Sequence, residues 1–519
     1  MANLSLYNLT ADILESKIFY YLSGPDLIQL SQVNRKMRNR MFAIQPLTFL
    51  GIHPNQLWPE LSINFKDEYK IKNIPEPQNA ISLEDADELL ECLSRVKWRF
   101  PKIIVNSTSF PRIYRYLPFC QNITLHVLDD VCFEELSFVL QFNLITELYF
   151  EPVPGITEID VHFLVCNFER MSKLKKLTVR SPFDLEIAWI FSEYLPKSRI
   201  EILDLDDSAL DYEHLSLICP ALEKSRITIL SLQRNPLHTE GIEILSCSLR
   251  KTLIKELILD GVEMDSESMY TLSIGLMYTK IQKLSLNDIK LDDEDINYIF
   301  NVLPQTNIRE LLFHDKFGPQ STETLIKNLR HSKIEKAVFQ ISPDFLEEFL
   351  HAASSSLLVD FHLVTRGDLA CSIIAQNQQY FKFSRFCLST CKITIPAFGA
   401  FVSILPQSLV ETLELNADIG DAGLEILASY LPFTRITKLL VNQCGFGDSG
   451  VKCIAHCLQY SKLRHLEMSS FSTTDDGLIY LLERMSTNLR YLNVTLAKID
   501  NRDLVRAFVL KYPHMTIKY

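Results

Sequence analysis

Residues 200–210 read IEILDLDDSAL, and the same order of aliphatic side chains returns as ITILSLQRNPL from Ile227, IKELILDGVEM from Ile254 and IQKLSLNDIKL from Ile281. The shared pattern is aliphatic-x-x-aliphatic-x-aliphatic. Further copies begin at Ile145, Leu174, Ile308, Ile334, Leu358, Phe383, Val410, Ile436, Leu463 and Leu489. From Leu174 onward, successive copies start 24 to 27 residues apart. Such a fixed period predicts a repeat architecture.

Each copy predicts one strand and one helix. The alternation Leu203-Asp204-Leu205 indicates a short strand with one buried face. An amphipathic stretch follows in each unit, as in GLEILASYL from Gly423, where apolar residues recur every three or four positions and predict a helix. Asp421 and Asp448 suit the N-terminal turns of two such helices. Because a single unit cannot bury its apolar face, stacked units must share a core.

The sequence therefore predicts an α/β solenoid over residues 100–519. It would contain about 14 units, or 16 if two more begin near Phe100 and Asn122. Because helices are bulkier than strands, we expect the stack to curve, with its parallel strands on the concave side. We also expect a local kink between about Phe313 and Gln379, where the copies are least regular, Ala337 replaces a core leucine and the steps shorten.

These units resemble the ribonuclease-inhibitor-like class of leucine-rich repeats, whose units have about 26–27 residues. The resemblance implies a right-handed horseshoe. In that class one turn position holds asparagine or cysteine, and here it is met by Asn235, Cys391 and Cys444. Other residues occupy it in the remaining copies, which bears on the regularity of the repeats and not on the fold class.

Side chains at the third, fifth and seventh positions of each copy should point away from the helices. The acidic residues in the middle of this concave face are Asp204, Asp206, Glu256, Asp260 and Glu310, with Lys283 as the base among them. An apolar centre rimmed by charge is common at protein interfaces, and an ordinary solvated strand face is the alternative. The residues predicted to bind a protein substrate are Tyr149, Arg180, Asp204, Asp206, Ile258, Asp260, Leu312 and His314.

The first 42 residues lack the repeat pattern and predict two helices. Thr10 can cap the first helix, and the Gly24-Pro25 pair ends it. Pro25 and Asp26 suit the first turn of the second helix. Such a short piece rarely forms a core of its own, so we expect it to pack on a partner or to cap the solenoid. Residues 43–99 form a junction and N-terminal cap that contains several prolines.

This N-terminal segment resembles an F-box. The motif residues, in order and without a gap, are Leu9, Asp12, Ile13, Leu14, Ile18, Phe19, Tyr21, Leu22, Asp26, Leu27, Leu30, Val33, Arg35 and Arg38. Thr10 stands where the family usually has proline. The resemblance implies that a Skp-family adaptor binds here, through Leu9, Ile13, Leu14, Ile18, Phe19, Leu22, Asp26, Leu27, Leu30 and Val33. A chain that joins an F-box to leucine-rich repeats would be the substrate receptor of an SCF-type cullin–RING ubiquitin ligase.

Composition and motifs favour a binding protein without chemistry of its own. The sequence contains no P-loop, GxGxxG, HExxH or GxSxG motif, so we expect neither catalysis nor a cofactor. Cys387/Cys391 and Cys453/Cys457 have a spacing that could suit a metal, but we expect core or turn positions instead. His351 and His362 are expected to be isolated surface or turn residues. Two other functions stay open: a non-catalytic scaffold or inhibitor with a helical cap, and a GTPase activator of the Ran-directed kind.

The charge balance and the N-terminus bear on partners and location. A formal net charge of -12 disfavours nucleic acid and anionic membranes as partners. The N-terminus lacks the basic and apolar regions of a signal peptide, and no run of residues is apolar enough to span a membrane. Twelve scattered cysteines fit a reducing compartment. We therefore expect a cytoplasmic or nuclear protein.

Overall fold

The structure is a computed structural model, and its described residues belong to two units. Those up to Lys255 belong to unit 1, and those from Glu256 belong to unit 2. The predicted helical module (1–42) and junction (43–99) lie outside the described residues. The described residues are 103–105, 123–127, 145–150, 167–168, 171–182, 184–289, 291–390, 393–442, 444–485, 488–498 and 516–518.

Unit 1 contains a parallel sheet in which each strand pairs with the next one along the chain. Its described strands are β1 (Ile103–Val105), β2 (Ile123–Val127), β3 (Ile145–Phe150), β4 (Lys176–Val179), β5 (Ile202–Asp204) and β6 (Ile229–Ser231). Its described helices are α1 (Leu185–Tyr194), α2 (Tyr212–Leu222) and α3 (His238–Leu249). Strands β1 and β2 lie at the two additional units predicted near Phe100 and Asn122.

Unit 2 has the same construction, again with parallel pairing between strands that follow one another in the chain. Its described strands are β7 (Glu256–Ile258), β8 (Lys283–Ser285), β9 (Glu310–Lys316), β10 (Lys336–Gln340), β11 (Asp360–Thr365), β12 (Arg385–Thr390), β13 (Thr412–Ala417), β14 (Lys438–Asn442), β15 (His465–Thr474), β16 (Tyr491–Lys498) and β17 (Thr516–Lys518). Its described helices are α4 (Ser266–Leu276), α5 (Asp293–Val302), α6 (Pro319–Leu329), α7 (Pro343–Ser354), α8 (Leu369–Gln376), α9 (Ile395–Ile404), α10 (Gly420–Tyr430), α11 (Asp448–Cys457) and α12 (Asp475–Glu483).

The predicted α/β repeat is confirmed in each unit. In the copy from Ile200, the three motif side chains Ile200, Leu203 and Leu205 are fully buried, as the aliphatic pattern requires. The chain is thus a leucine-rich-repeat-type protein, with strands on the motif and helices between them. The right-handed horseshoe stays a prediction. Strand β17 was not predicted, because its short segment carries no recognisable copy of the motif.

A buried hydroxyl ends the turn before many of the strands. Thr434 shows the arrangement: its Oγ1 donates to the Leu431 carbonyl (2.9 Å) and accepts from the Ile436 N–H (3.3 Å). The same pair of hydrogen bonds is made by Ser198, Ser225, Thr252, Thr279, Thr306, Ser332, Ser356, Ser408 and Ser461. These side chains satisfy backbone groups that a helix end leaves unpaired, and they fix where the next strand begins.

Polar side chains also join neighbouring repeats at the turn after the strand. Asn235 donates to the Leu205 carbonyl (2.8 Å) and accepts from the Ser208 and Leu210 N–H groups (3.0 Å each). Cys444, at the equivalent position, donates to the Leu415 carbonyl (3.2 Å). Two of the three residues predicted for this turn position therefore bond the backbone of the preceding repeat, and the third, Cys391, lies outside the described residues.

Aspartates at the helix starts act across repeats. Asp421 lies in the first turn of α10, as predicted, yet its carboxylate accepts from the N–H groups of Gly447 and Gly450 (2.8 Å each) at the start of α11. Asp448 similarly accepts from the Thr474 N–H (2.8 Å) at the start of α12. Each carboxylate therefore satisfies open donors of the next helix, which links the stacked units.

Between Phe313 and Gln379, strands β9 and β10 show a register shift at Phe339/Gln340, and the kink expected in this region stays a prediction. Ala337 is buried there, and several phenylalanine rings share the core with leucines. The ring centroid of Phe339 lies 6.2 Å from Phe300, 5.5 Å from Phe317, 6.3 Å from Phe349 and 6.4 Å from Phe361. Bulky rings thus compensate for the small alanine.

Candidate binding faces of the two sheets

The third, fifth and seventh positions of each repeat lie on the side of the strand opposite the buried motif residues. We call this side the open face, and each unit has its own. Of the eight predicted substrate-binding residues, the open face of unit 1 holds Tyr149, Arg180, Asp204 and Asp206. The open face of unit 2 holds Ile258, Asp260, Leu312 and His314.

In unit 1, the predicted acidic residues bond to their own chain. The Arg180 guanidinium lies 3.1 Å from the Asp204 carboxylate and 3.6 Å from that of Asp206. Asp206 also accepts from Ser231 Oγ (2.6 Å) and from the Gln233 N–H (2.9 Å). Asp204 is 9% exposed and Asp206 only 2%. Contact with a substrate stays a prediction for both, but their carboxylates already serve the fold.

Burial acts on the titration of Asp206. It raises the pKa of this carboxyl, and the charge of Asp204 adds to the effect. Hydrogen bonds from Ser231 and Gln233, together with Arg180, act in the opposite direction and do not cancel it. A carboxylate held in this way costs stability when it is charged, so its partners must stay in place.

Tyr149 belongs to a second cluster in unit 1. Its hydroxyl donates to Glu147 Oε2 (3.3 Å) and accepts from Lys176 Nζ (2.7 Å). The same ammonium lies 4.6 Å from the centroid of the Tyr149 ring. Ring, ammonium and carboxylate together present a half-buried polar surface at strands β3 and β4.

In unit 2, the third positions of six neighbouring strands alternate in charge. The residues, paired in register from β7 to β12, are Glu256, Lys283, Glu310, Lys336, Asp360 and Arg385. Lys283 bonds Glu256, Lys336 Nζ lies 2.5 Å from Glu310, and Arg385 lies 3.7 Å from Asp360. We call this row the charge ladder. The acidic centre expected from the sequence is therefore neutralised along this row, because Lys336 and Arg385 continue the alternation.

Beside the charge ladder lie the fifth-position side chains of the repeats, and several of them are apolar. Ile258 and Leu312 are partly exposed, and Val338 is nearly buried. Asp260, in the seventh position, accepts from Ser285 Oγ and from the Asn287 N–H (2.8 Å each). His314 is exposed, and its backbone N–H donates to Asn287 Oδ1 (3.0 Å). The four predicted residues of unit 2 thus share one face. Hydrogen bonds of Ser285 and Asn287 link Asp260 to the neighbouring strand, and a further bond links Asn287 to His314.

A histidine cluster on this face was missed by the sequence reasoning. The rings of His314 and His362 lie edge to face with centroids 6.1 Å apart, and His362 Nε2 is 2.7 Å from Ser389 Oγ. Burial lowers the pKa of His362 to about 4, and His314 and Arg385 act in the same direction. The expectation that His362 is an isolated surface or turn residue is wrong. Its repeat position, equivalent to Leu312, was the signal that could have placed it here.

Asn416 extends the histidine cluster to the next strand. Its Nδ2 donates to Ser389 Oγ (3.2 Å) and lies 3.5 Å from Cys387 Sγ. Burial raises the pKa of the Cys387 thiol to about 12, so this thiol is neutral and a weak nucleophile. Histidine, serine, cysteine and asparagine side chains thus form one hydrogen-bonded cluster on the open face of unit 2.

Among the described residues, no group of three or more His, Cys, Asp or Glu side chains could hold a metal ion. Cys453 and Cys457 are free thiols, and Cys457 Sγ donates to the Ile454 carbonyl (3.1 Å). In the same part of the chain, no helix has both the length and the apolar character needed to cross a bilayer. The adaptor-binding residues predicted between Leu9 and Val33 lie outside the described residues.

Comparison with known proteins adds little to this description. No protein-family model matches the chain, and no curated protein matches it. A solved structure of the Rad7 and Elc1 complex in yeast is similar at 14% sequence identity, covering 74% of this chain and 92% of that one, with a TM-score of 0.40. A likeness at that level carries no conclusion about this chain, so the fold assignment stands on the strands and helices themselves.

Proposed function

We propose that this protein is the substrate-recognition subunit of an SCF-type cullin–RING ubiquitin ligase. Residues 1–42 dock on a Skp-family adaptor that joins the cullin complex, and the repeats hold a protein substrate. The chain catalyses no step itself and contributes proximity and orientation. The observation that supports the proposal is the order and spacing of F-box-type residues from Leu9 to Arg38 ahead of an α/β repeat array.

The open face of unit 2 is the surface we assign to the substrate. Ile258 and Leu312 offer partly exposed apolar area, and His314 is an exposed polar neighbour. The charge ladder beside them carries equal numbers of acidic and basic groups, so it favours no strongly charged partner. The ladder therefore does not favour the basic partner that the alternative function, a scaffold with an acidic face, would capture.

The adaptor interaction tests the proposal directly. The full chain is co-expressed with a Skp-family adaptor and analysed by size-exclusion chromatography. We expect co-elution by the wild type and its loss in the Ile18→Ala/Phe19→Ala variant, because both side chains are motif residues of the implied docking helix. A wild-type chain that elutes without the adaptor would overturn the receptor role.

Two further variants make the test specific. Lys17→Ala/Gln32→Ala changes the same segment outside the motif and should leave co-elution intact. Thr10→Pro restores the residue that the F-box family usually has, and it should tighten adaptor binding in a titration. If Thr10→Pro abolishes binding while the wild type binds, the chain enters the adaptor groove differently from the family.

A further inference from the structure

A second surface of unit 2 lies away from the open face, where helices end and strands begin. Phe433 and Tyr460 occupy the same position in consecutive repeats, and they are 72% and 65% exposed. Arg435 and Lys462 follow two residues later in each repeat and are also exposed. Exposed aromatic side chains in neighbouring repeats add to one apolar patch, and such patches often mark sites of protein–protein interaction.

The backbone fixes these side chains outward. Thr434 and Ser461 lie between the aromatic and the cationic residue, in extended conformation and with buried hydroxyls. In an extended segment the two neighbours of an inward residue must point outward. The aromatic-x-cation arrangement at Phe433/Arg435 and Tyr460/Lys462 therefore follows from the same turn hydroxyls that build the repeat.

Two arginines continue the surface along the next strands. Arg464 and Arg490 directly precede His465 and Tyr491, which pair in register, and the Arg490 N–H donates to the Arg464 carbonyl (2.8 Å). Both arginine side chains are exposed. Neighbouring strands lie about 5 Å apart, so the cations form a short line across three repeats.

The four cations lack a partner in the part of the chain that the structure describes. The side chains of Arg435, Lys462, Arg464 and Arg490 form no ion pair or hydrogen bond with any described residue. Elsewhere in unit 2 two bases at strand starts are engaged, since Arg309 bonds Glu335 (2.7 Å) and Lys333 bonds Asn307 (2.6 Å), whereas Lys280 forms no ion pair or hydrogen bond with a described residue. Because the net charge of the protein is -12, this group of four unpaired cations is a local positive patch on a negatively charged protein.

We propose that this surface, Phe433, Arg435, Tyr460, Lys462, Arg464 and Arg490, docks an acidic, aromatic-containing segment of a partner protein. The cations match carboxylates of the segment, and the two exposed rings cover its apolar side chains. A few residues of extended chain span the short line of cations. Nucleic acid and anionic membranes need a wider basic field, which the net negative charge of the whole chain opposes. This surface does not depend on the receptor role.

Fluorescence anisotropy with the full-length protein tests this surface. The probe is a short dye-labelled peptide in which glutamate and tyrosine alternate. Two companion peptides replace glutamate with glutamine, or tyrosine with glycine. We expect the first peptide to bind most tightly and its affinity to fall as salt is added. The glutamine peptide should bind least, since it presents no charge.

Charge-reversal variants locate the binding. Arg435→Glu/Lys462→Glu/Arg464→Glu should raise the dissociation constant roughly tenfold or more, as expected for the loss of several exposed charge pairs. The matched control is Lys327→Glu/Lys333→Glu/Lys382→Glu, which changes net charge equally at exposed positions elsewhere in unit 2. It should leave affinity within about twofold. Phe433→Ser/Tyr460→Ser should weaken the tyrosine peptide more than the glycine peptide.

Several results would overturn the proposal. They are no binding of the glutamate–tyrosine peptide by the wild type, equal losses in the reversal and control variants, and binding of a single-stranded oligonucleotide or of phosphatidylserine vesicles where the peptide fails. Circular dichroism of each variant before the titrations checks that the chain is folded.

Discussion

Asp206 in unit 1 and Asp260 in unit 2 occupy the same repeat position and make the same hydrogen bonds. Asp206 accepts from Ser231 Oγ and from the backbone of the next repeat, and Asp260 accepts from Ser285 Oγ and the backbone in the same way. Their surroundings differ. Asp206 is almost fully buried beside another carboxylate, whereas Asp260 is partly exposed and has Ile258 two residues before it.

The same pair of hydrogen bonds therefore holds a buried aspartate in unit 1 and a partly exposed one in unit 2. In unit 1 the buried carboxylates pair with the exposed Arg180 and hold neighbouring strands together. In unit 2 the equivalent aspartate leaves apolar and histidine side chains within reach of solvent. The carboxylates of unit 1 are buried in contacts within the chain, whereas the open face of unit 2 keeps partly exposed apolar side chains. We therefore propose that the substrate contacts unit 2.

The largest expected effect comes from removing these two aspartates. Asp206→Ala should lower the stability of unit 1 by about 2–3 kcal/mol, because Ser231, Gln233 and Arg180 lose a buried acceptor. Asp260→Ala should cost unit 2 only about 1 kcal/mol, since water can replace a partly exposed carboxylate. Native-state hydrogen exchange at β6 and β8 reports each unit separately. Equal losses would mean that burial does not distinguish the two sites.

A smaller effect is expected from acidification, through His362 in unit 2. The pKa of His362 is about 4 in the folded protein and near 6.5 when unfolded, so the unfolded chain binds the proton more tightly. Its contribution to stability is therefore present above pH 6.5 and is lost as the pH falls towards 4. Allowing for partial exposure, the loss is on the order of 2 kcal/mol. His362→Gln should remove this part of the pH dependence in hydrogen exchange at β11.

The control for this measurement is His331→Gln, an exposed histidine of the same unit, which should leave the pH profile unchanged. Asp206 contrasts with His362, because its raised pKa makes the folded state the tighter proton binder. Acidification therefore favours unit 1 through Asp206 while it disfavours unit 2 through His362. A His362→Gln profile that parallels the wild type would contradict the buried neutral imidazole.

The repeat was predictable from sequence because its signal is local. The three aliphatic positions of IEILDL lie within six residues, and each copy repeats them. The turn hydroxyls were equally visible, since serine or threonine stands two residues before the first aliphatic in segments such as SRITIL and TRITKL. They were missed because the consensus was built from apolar positions alone.

The chemistry of the faces was less predictable, because its partners lie in other repeats. The burial of Asp206 depends on Ser231 in the next repeat, and the pairing of His314 with His362 spans two repeats. The charge ladder could have been found by aligning third positions, but Lys336 and Arg385 belong to the weaker copies of the motif. The sequence suggested an acidic face, and the strand register shows instead that the charges alternate along this row.

The smallest expected effect tests that alternation. Lys336 lies between Glu310 and Asp360 in the ladder, so Lys336→Glu would place three acidic groups on adjacent strands. We expect a loss of about 1 kcal/mol in stability at low salt, shrinking as salt screens the repulsion. Lys336→Gln removes the attraction without adding repulsion, and it should cost about half as much. If the two variants lose equal stability at low salt, the ladder contributes through packing of the lysine stem and not through charge.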